Sequence, residues 1–584
     1  MLALDSNLDD PGADSVARLE SRSDHGIVLG AVLLLCAFAL FARLGAAALF
    51  DPDEGRNAEK AREILLQHDW ITPRQDFVPV LDKPMAYYWL IASSYRVFGV
   101  SEGSARLPSA VAAAGCVLLV FLFARRFFGF WEAVWSSLIL VTSLEFFLLA
   151  RIVIFDMTLT FFTTLTLVAF FYASHEPPSR RRTALLSVMY ISSAAATLVK
   201  GPIGVALPGM IALFYLVVAR QLSQVRKLGL AFGIPLFLAV AAPWYFEVEQ
   251  HNPGYLRYFF WEENFIRYAT PHFNRTESWY YFFAVLAVGF LPWTLCIPQA
   301  LHDGWRRRSE DTPLFLLFWT ILPFLFFSFS HAKLPHYILP IFPPLALLTG
   351  IQVENKIVSA RARGAWPVAL AYLGLCSLVV FFLIAVEMPQ LFNGSTRIGF
   401  SAVPLQSRII ALCALIGAAG LGMRAWRGQW KSRTVLLVGL SCVLILYLDL
   451  VGQTMMASSA ARSTRNFAAA ASSHLKPDDQ LVIYDTELES LPFYLKISAP
   501  IWIVWSGRKS SVMGSFYLAE KGVYPMPGTA PVLLTFDQFT EELSKAPEKH
   551  VAVFIKAKNL TRIGQEMSRQ NVLFGDHGLL LVAD

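Results

Sequence analysis

Uninterrupted apolar blocks recur along this chain, near 27–49, 105–124, 133–150, 157–174, 184–200, 203–219, 229–245, 280–300, 313–329, 336–352, 366–387, 407–423 and 434–455. Each approaches the length of about 20 helical residues that crosses a bilayer core of roughly 30 Å. Soluble cores are not built from such runs, so about thirteen transmembrane helices are expected. Composition agrees: 55% of residues are hydrophobic and 16% charged, against about a quarter charged in soluble domains. The fold class that follows is a polytopic α-helical membrane protein.

Charge in the short connections orients the spans. Arg125 and Arg126, Arg180 to Arg182, Arg226 and Lys227, Arg306 to Arg308, Arg361 and Arg363, and Arg424 to Arg433 fall in alternate loops, which marks those loops as cytoplasmic. Residues 1–26 are polar and are expected to be an unstructured cytoplasmic segment. Residues 27–456 form the membrane domain, and 457–584 a soluble domain on the external, periplasmic side. The formal charge of +6 is spread between apolar blocks without a basic stripe, so nucleic acid is excluded as a partner; membrane lipids are the expected surroundings. Cys36, Cys116, Cys296, Cys376, Cys413 and Cys442 all lie inside apolar blocks and read as small core residues.

The opposite loops hold Asp53, Glu54, Arg56, Asp82, Lys83, Asp156, Lys200, Glu262, Glu263, Arg267, Lys333 and His336. Ionisable groups are costly at a membrane, and the positive-inside rule gives no reason for cations on this face, so these residues are functional candidates. The first external loop opens FDPDEGRNAEKAREILLQ. Asp51 with Glu54 three residues later reads as a capping box, with Pro52 at the first helical position. Ala58, Ala61, Ile64 and Leu65 can face the bilayer while Arg56, Glu59, Lys60 and Arg62 face water, so a helix lying on the membrane surface is expected. Caps explain Asp51 and Glu54 but not Asp53, which is the catalytic candidate. Asp82, Lys83 and Pro84 then lead into AYYWLIASSY, a second interfacial helix in which Lys83 could equally snorkel.

Further along, Asp156 follows closely on Arg151 and could form a surface ion pair with it or orient a cation or a sugar hydroxyl. Lys200 is squeezed between two spans, where it could snorkel or hold a phosphate. The aromatic 246–279 loop could stack sugars or form an aromatic belt. The SHAKLPHY segment places His331, Lys333, His336 and Tyr337 between two spans. A divalent metal on His272, His331 or His336 with Glu262 or Glu263 is chemically admissible, although no spacing such as HExxH is present; no other cofactor is implied. From about 457 a polar-alanine helix precedes five short apolar runs, at 481–485, 501–505, 531–536, 550–555 and 578–584. This is a small α/β domain without a phosphate loop, triad or metal motif, and it reads as accessory.

In order, the motifs FDPDEGR, AREIL, DWITP, LDKP with YYWL, SARLPSA, RIVIFDMTLTFF, LVKGPIG, ENFIRY and SHAKLPHYILPIFPPLALL resemble those of the bacterial polytopic glycosyltransferases that include the lipid A aminoarabinose transferase. The chain is more distantly similar to the protein O-mannosyltransferases, which share the GT-C fold. The likeness covers roughly residues 27–352. It implies a transferase with a polyprenyl-phosphate-linked sugar as donor and an active site at the periplasmic face. Asp53 matches the family's catalytic carboxylate, and its neighbour Glu54 and Asp156 are counted with it as catalytic candidates. Arg56 and Lys83 match cations that hold the donor phosphate, and Lys200, Arg267 and Lys333, in motifs lining the same cavity, are further candidates to hold it. Asp82, Glu263, His336 and Tyr337 are expected to line the substrate cavity. There are two departures: Asp82 stands where the aminoarabinose transferases read Glu, and Asn264 where a histidine is common.

A phosphate leaving group needs no acid, only positive charge on its oxygens as the glycosidic bond breaks. Asp53 would act as base for a hydroxyl acceptor, or orient an acceptor that is itself a phosphate. Direct displacement with one base implies inversion. The acceptor is left open between lipid, glycan and protein. A lipid-linked-sugar flippase is the rival reading, disfavoured because transporters place ionisable groups near the midplane.

Overall fold

The computed structural model describes residues 11–269, 277–358 and 433–460, then 462–505, 533–545, 550–560 and 571–583 with single gaps at 477, 487 and 577. Seven of its helices are long and apolar enough to cross a membrane. The pair Tyr281–Gly289 and Thr294–Arg306, bent by 116°, makes an eighth crossing if it is one span. Shorter apolar helices lie at His25–Phe41, Phe130–Thr142 and Ile203–Val218. These elements fall on eleven of the thirteen expected spans. The expected spans at 366–387 and 407–423 lie outside the described residues, as do Cys376 and Cys413. The first helix, α1, runs Pro11–Phe41 and so enters the segment expected to be unstructured.

Local sequence explains the helix ends. Helix α2 is Asp53–Gln67 and α3 is Ala86–Phe98. Helix α4, Glu102–Phe127, starts in a capping box of Ser101 with Ser104 and finishes on Arg125 and Arg126, cations suited to the negative end of the helix dipole. Helix α5, Phe130–Thr142, stops at Ser143, whose backbone is extended, and α6 resumes at Leu144–Leu149. This break meets the bend of the 281–306 pair: the Leu144 amide donates to the Leu291 carbonyl at 2.9 Å and Trp293 Nε1 to Thr142 Oγ1 at 2.9 Å. Two interrupted spans thereby satisfy each other's polar groups, which irregular structure at membrane depth requires. Helices α7 (Phe155–Ser174) and α8 (Arg180–Lys200) pack side by side. Gly201, at φ +86°, turns the chain into α9 (Ile203–Val218), and a Cβ there would meet Phe259 Cζ at 2.6 Å. Helix α10 is Leu230–His251.

The C-terminal region carries a mixed sheet of six strands. Besides the two-stranded ribbon of β1 (Arg74–Gln75) and β2 (Val78–Pro79) in the first loop, the strands are β3 (Gln480–Tyr484), β4 (Trp502–Trp505), β5 (Leu533–Thr535), β6 (Val551–Lys556), β7 (Asn571–Asp576) and β8 (Leu579–Ala583). Their order is β5-β4-β3-β6-β8-β7. Strand β3 pairs in parallel with β4 and β6, and β4 with β5, while β8 runs antiparallel to β6 and β7. The apolar runs foretell five of these strands. Strand β7, NVLFGD, was not anticipated: it lies at the sheet edge and its register shifts between Val572 and Phe574, so it needs no continuous apolar run.

Two expectations for the first loop are corrected. The charges of helix α2 after Asp53 do not face water. Glu54, Asn57, Glu59, Lys60, Arg62 and Glu63 are buried together with Ala58, Ala61 and Ile64, because α2 is enclosed by α3 and by the 489–497 segment of the C-terminal domain. Nor does Asp51 cap it: the helix start has no side-chain cap, and the Asp51 carboxylate accepts from the Ser490 amide and hydroxyl, both at 2.7 Å. The C-terminal domain is therefore interlocked with this loop. Tyr494 Oη receives the Leu49 amide at 2.8 Å, Arg62 donates to the Ile497 carbonyl, and Glu489 accepts from Gln75. Gly55 permits the approach, since a Cβ there would lie 2.5 Å from the Ser490 nitrogen. Helix α3 does fit an interfacial helix, with Tyr87, Tyr88, Ile91 and Tyr95 buried and Leu90, Val97 and Phe98 exposed on its outer side.

Under this junction lies an acidic cluster. Glu59 is held by Arg62 at 2.6 and 2.7 Å. Asp76 and Glu63 are buried, and neither Asp76 Oδ1 nor Glu63 Oε1 has a hydrogen-bond partner among the described residues. Burial, and then the charge of Glu59, push Asp76 up to about 7; burial with Glu59 and Asp76 also raises Glu63. For Asp76 the folded protein thus keeps a proton that the unfolded chain releases above about pH 4, and the stability this contributes is lost as pH rises from there to about 7. Asp76→Asn removes much of that loss. Its unfolding temperature should fall less than that of the parent between pH 5 and 8; parallel curves would contradict this.

Candidate active site

The site residues converge on the loop-rich face through α2, α3, the head of α7 and the foot of α8. Asp53 opens α2 with 65% of its side chain exposed and is paired with Arg56 one turn on. Glu54, its neighbour, points the opposite way. It is buried, with Arg106 Nε and Nη2 at 2.8 and 2.7 Å and the amides of Val153 and Phe50 at 2.8 and 3.0 Å. With both oxygens engaged it anchors α2 to α4 and to the 150–154 turn, so the expectation that Glu54 joins the reaction is not supported by its geometry.

Asp82 and Lys83 sit beside Asp53 and Arg56. Lys83 Nζ lies 2.8 Å from Glu263 Oε1 and 4.0 Å from Asp82 Oδ2. Asp82 Oδ1 lies 2.8 Å from Lys60 Nζ. Burial alone would raise the Asp82 carboxyl, but Lys60, Lys83 and Arg56 together hold it below the usual carboxylate range. Burial lowers the Arg56 guanidinium, and Asp53, Asp82 and Glu489 more than offset it. Glu263 belongs to a π-helical stretch, Tyr258–Ile266, a form concentrated at functional sites.

A second cluster adjoins the first. Asp156, buried at the start of α7, accepts from Lys200 Nζ, and His336 Nε2 lies 3.6 Å from its other oxygen. Lys200 also stands over the Tyr337 ring at 4.7 Å. Tyr88 links the clusters, with Lys60 5.6 Å from its ring centroid and Phe155 edge-on at 5.3 Å. The surface pair of Arg151 with Asp156 does not form: Arg151 instead donates to the Ala39 and Ala42 carbonyls at 2.7 and 2.6 Å, capping α1. Lys333 is buried and donates to the Glu277 carbonyl at 3.1 Å. The side chain of Arg267 and all of His272 lie outside the described residues. Among the described residues no three His, Cys, Asp or Glu side chains could together hold a metal. Of the candidate ligands read from sequence, Glu263 is paired with Lys83 and His336 lies against Asp156.

Sequence reasoning missed Lys60 and Arg106. Lys60 was placed on a water-facing stripe and Arg106 inside a span. The signal available for Arg106 was a cation inside an apolar span; Lys60, on the stripe read as water-facing, carried none.

Comparison with known proteins gives the family. The family model for dolichyl-phosphate-mannose-protein mannosyltransferase matches residues 56–259. Superposition on the crystal structure of ArnT from Cupriavidus metallidurans bound to undecaprenyl phosphate has a TM-score of 0.82 at 25% identity, covering 94% of this chain and 97% of that one. The fold and site thus define a polytopic membrane glycosyltransferase of the GT-C class. An undecaprenyl phosphate-α-4-amino-4-deoxy-L-arabinose arabinosyl transferase of Pseudomonas savastanoi pv. phaseolicola is 35% identical over 62% of this chain and 68% of its own length. That of Edwardsiella ictaluri is 31% identical over 67% of this chain and 72% of its own. The chain belongs to this arabinosyl transferase family.

Proposed function

We propose that the protein transfers a sugar from a polyprenyl-phosphate carrier to a lipid or glycan acceptor, lipid A or a similar envelope glycolipid, at the periplasmic face of the bacterial inner membrane. The N-terminus lies in the cytoplasm and the C-terminal domain in the periplasm. The names of its relatives support undecaprenyl phosphate and 4-amino-4-deoxy-L-arabinose as the donor. The observation that carries the reading is Arg56 paired with the exposed Asp53 and, like Lys83, coupled by charge to Asp82, with Lys200 paired to Asp156 in the adjoining cluster.

In this reading Arg56 and Lys83 receive the donor phosphate and stabilise the charge that grows on it as the glycosidic bond breaks. Asp53 takes the proton of a hydroxyl acceptor, or orients an acceptor phosphate, and attack from the opposite face inverts the sugar carbon. Asp156, Lys200, His336 and Tyr337 form the wall of the same cleft. The test gives the purified protein a panel of polyprenyl-phosphate sugars and separates lipid from protein products. Label in lipid supports the proposal. Label in protein selects O-glycosylation, a reading favoured by the mannosyltransferase family match. Carrier movement across vesicles without any transfer would replace the enzyme with a flippase.

A further inference from the structure

Lys60 has no place in the chemistry described so far, yet it is fully buried. It sits on α2 one turn after Arg56 and packs on Tyr88. Its carboxylate partner among the described residues is Asp82, at 2.8 Å. Asp82 is shared unequally: Oδ1 is in hydrogen-bond contact with Lys60, whereas Oδ2 is 4.0 Å from Lys83. Lys83 is otherwise steadied by the Asp82 carbonyl and by Glu263, each at 2.8 Å.

An ammonium is costly to bury unless its charge is answered. One placed on the buried side of Asp82, with no exposure of its own against 23% for the Asp82 side chain, leaves that carboxylate with little charge to spend on the other cations near it. The groups facing Lys60 are Asp82, Lys83 and Tyr88 from the following segment and Arg56 from its own helix. Burial draws Lys60 below the ordinary lysine range while Asp82 pulls it back, and Lys60 is the first of the groups that hold Asp82 ionised.

We propose that Lys60 is a positioning residue for sugar transfer, neutralising Asp82 from the buried side so that Lys83 and Arg56 stay available to the donor phosphate. This rests on the polyprenyl-phosphate donor proposed above. Without Lys60, Asp82 would turn to Lys83 and Arg56 and compete with that phosphate.

The experiment measures kcat and KM for the lipid-linked donor, and direct binding of polyprenyl phosphate, on the purified full chain. Lys60→Met is expected to weaken donor binding about tenfold or more, raising KM further than it lowers kcat. Lys60→Arg should stay near the parent. The decisive variant is the double substitution K60M/D82N: deleting the unanswered charge should restore most of the lost donor affinity, which a packing role for Lys60 would not produce. The proposal is overturned if K60M binds donor within twofold of the parent, if the loss falls in kcat alone, or if K60M/D82N is no better than K60M. Should K60M fail to fold, Lys60→Gln with and without D82N makes the same comparison. A parent protein that binds polyprenyl phosphate but transfers no sugar would sink the enzymatic reading, while the binding measurements would still decide the role of Lys60.

Discussion

Asp53→Asn is expected to lower kcat by about 10²–10⁴-fold, the usual contribution of a positioned general base, with donor affinity nearly unchanged. Asparagine keeps the shape of the side chain and removes the charge. Asp53 is mostly exposed and paired with Arg56, so the fold has little to lose. The size of the loss separates the two forms of the mechanism. A hydroxyl acceptor, which must give up its proton, should show the full loss. With a phosphate acceptor, which is already a nucleophile, the loss should be smaller. Turnover equal to that of the parent would remove Asp53 from the reaction.

Replacing Arg106 by alanine should instead destabilise the protein by roughly 3–5 kcal/mol, the cost of leaving one member of a buried ion pair unanswered. Arg106 is fully buried. Besides its two bonds to Glu54, it donates to the carbonyls of Leu44, Ala47 and Ala48 at 3.1, 2.7 and 2.8 Å. It therefore ties the turn after α1 and the start of α2 to α4. Glu54→Gln should show a weaker form of the same defect, because the neutral amide cannot answer Arg106. The readouts are the unfolding temperature in detergent and the specific activity of the fraction that remains folded. A well-folded but inactive Glu54→Gln protein would return Glu54 to the catalytic centre.

The behaviour of neighbours Asp53 and Glu54 shows how far a linear reading reaches. Both carboxylates stand in the first turn of one helix, and both stood among the catalytic candidates. The difference between them comes from Arg106, 52 positions away from Glu54, and from the Val153 amide, 99 positions away. Asp51 is a similar case: local spacing made it a cap, but Ser490, 439 positions away, takes its carboxylate. Helix α2 was misplaced for the same reason. Its amphipathic pattern is real, but its polar stripe faces ion-pair partners and another domain where open water was expected.

Partition between lipid and water is a property of each stretch of chain taken alone, so the sequence by itself located the apolar helices among the described residues, the alternation of basic connections and the connections that carry Asp53, Lys83, Asp156 and Lys200. Pairing of buried charges depends on which distant segments come into contact. The tertiary structure alone therefore decided that Lys60 pairs with Asp82, that Glu54 serves Arg106, and that Lys200 rather than Arg151 answers Asp156.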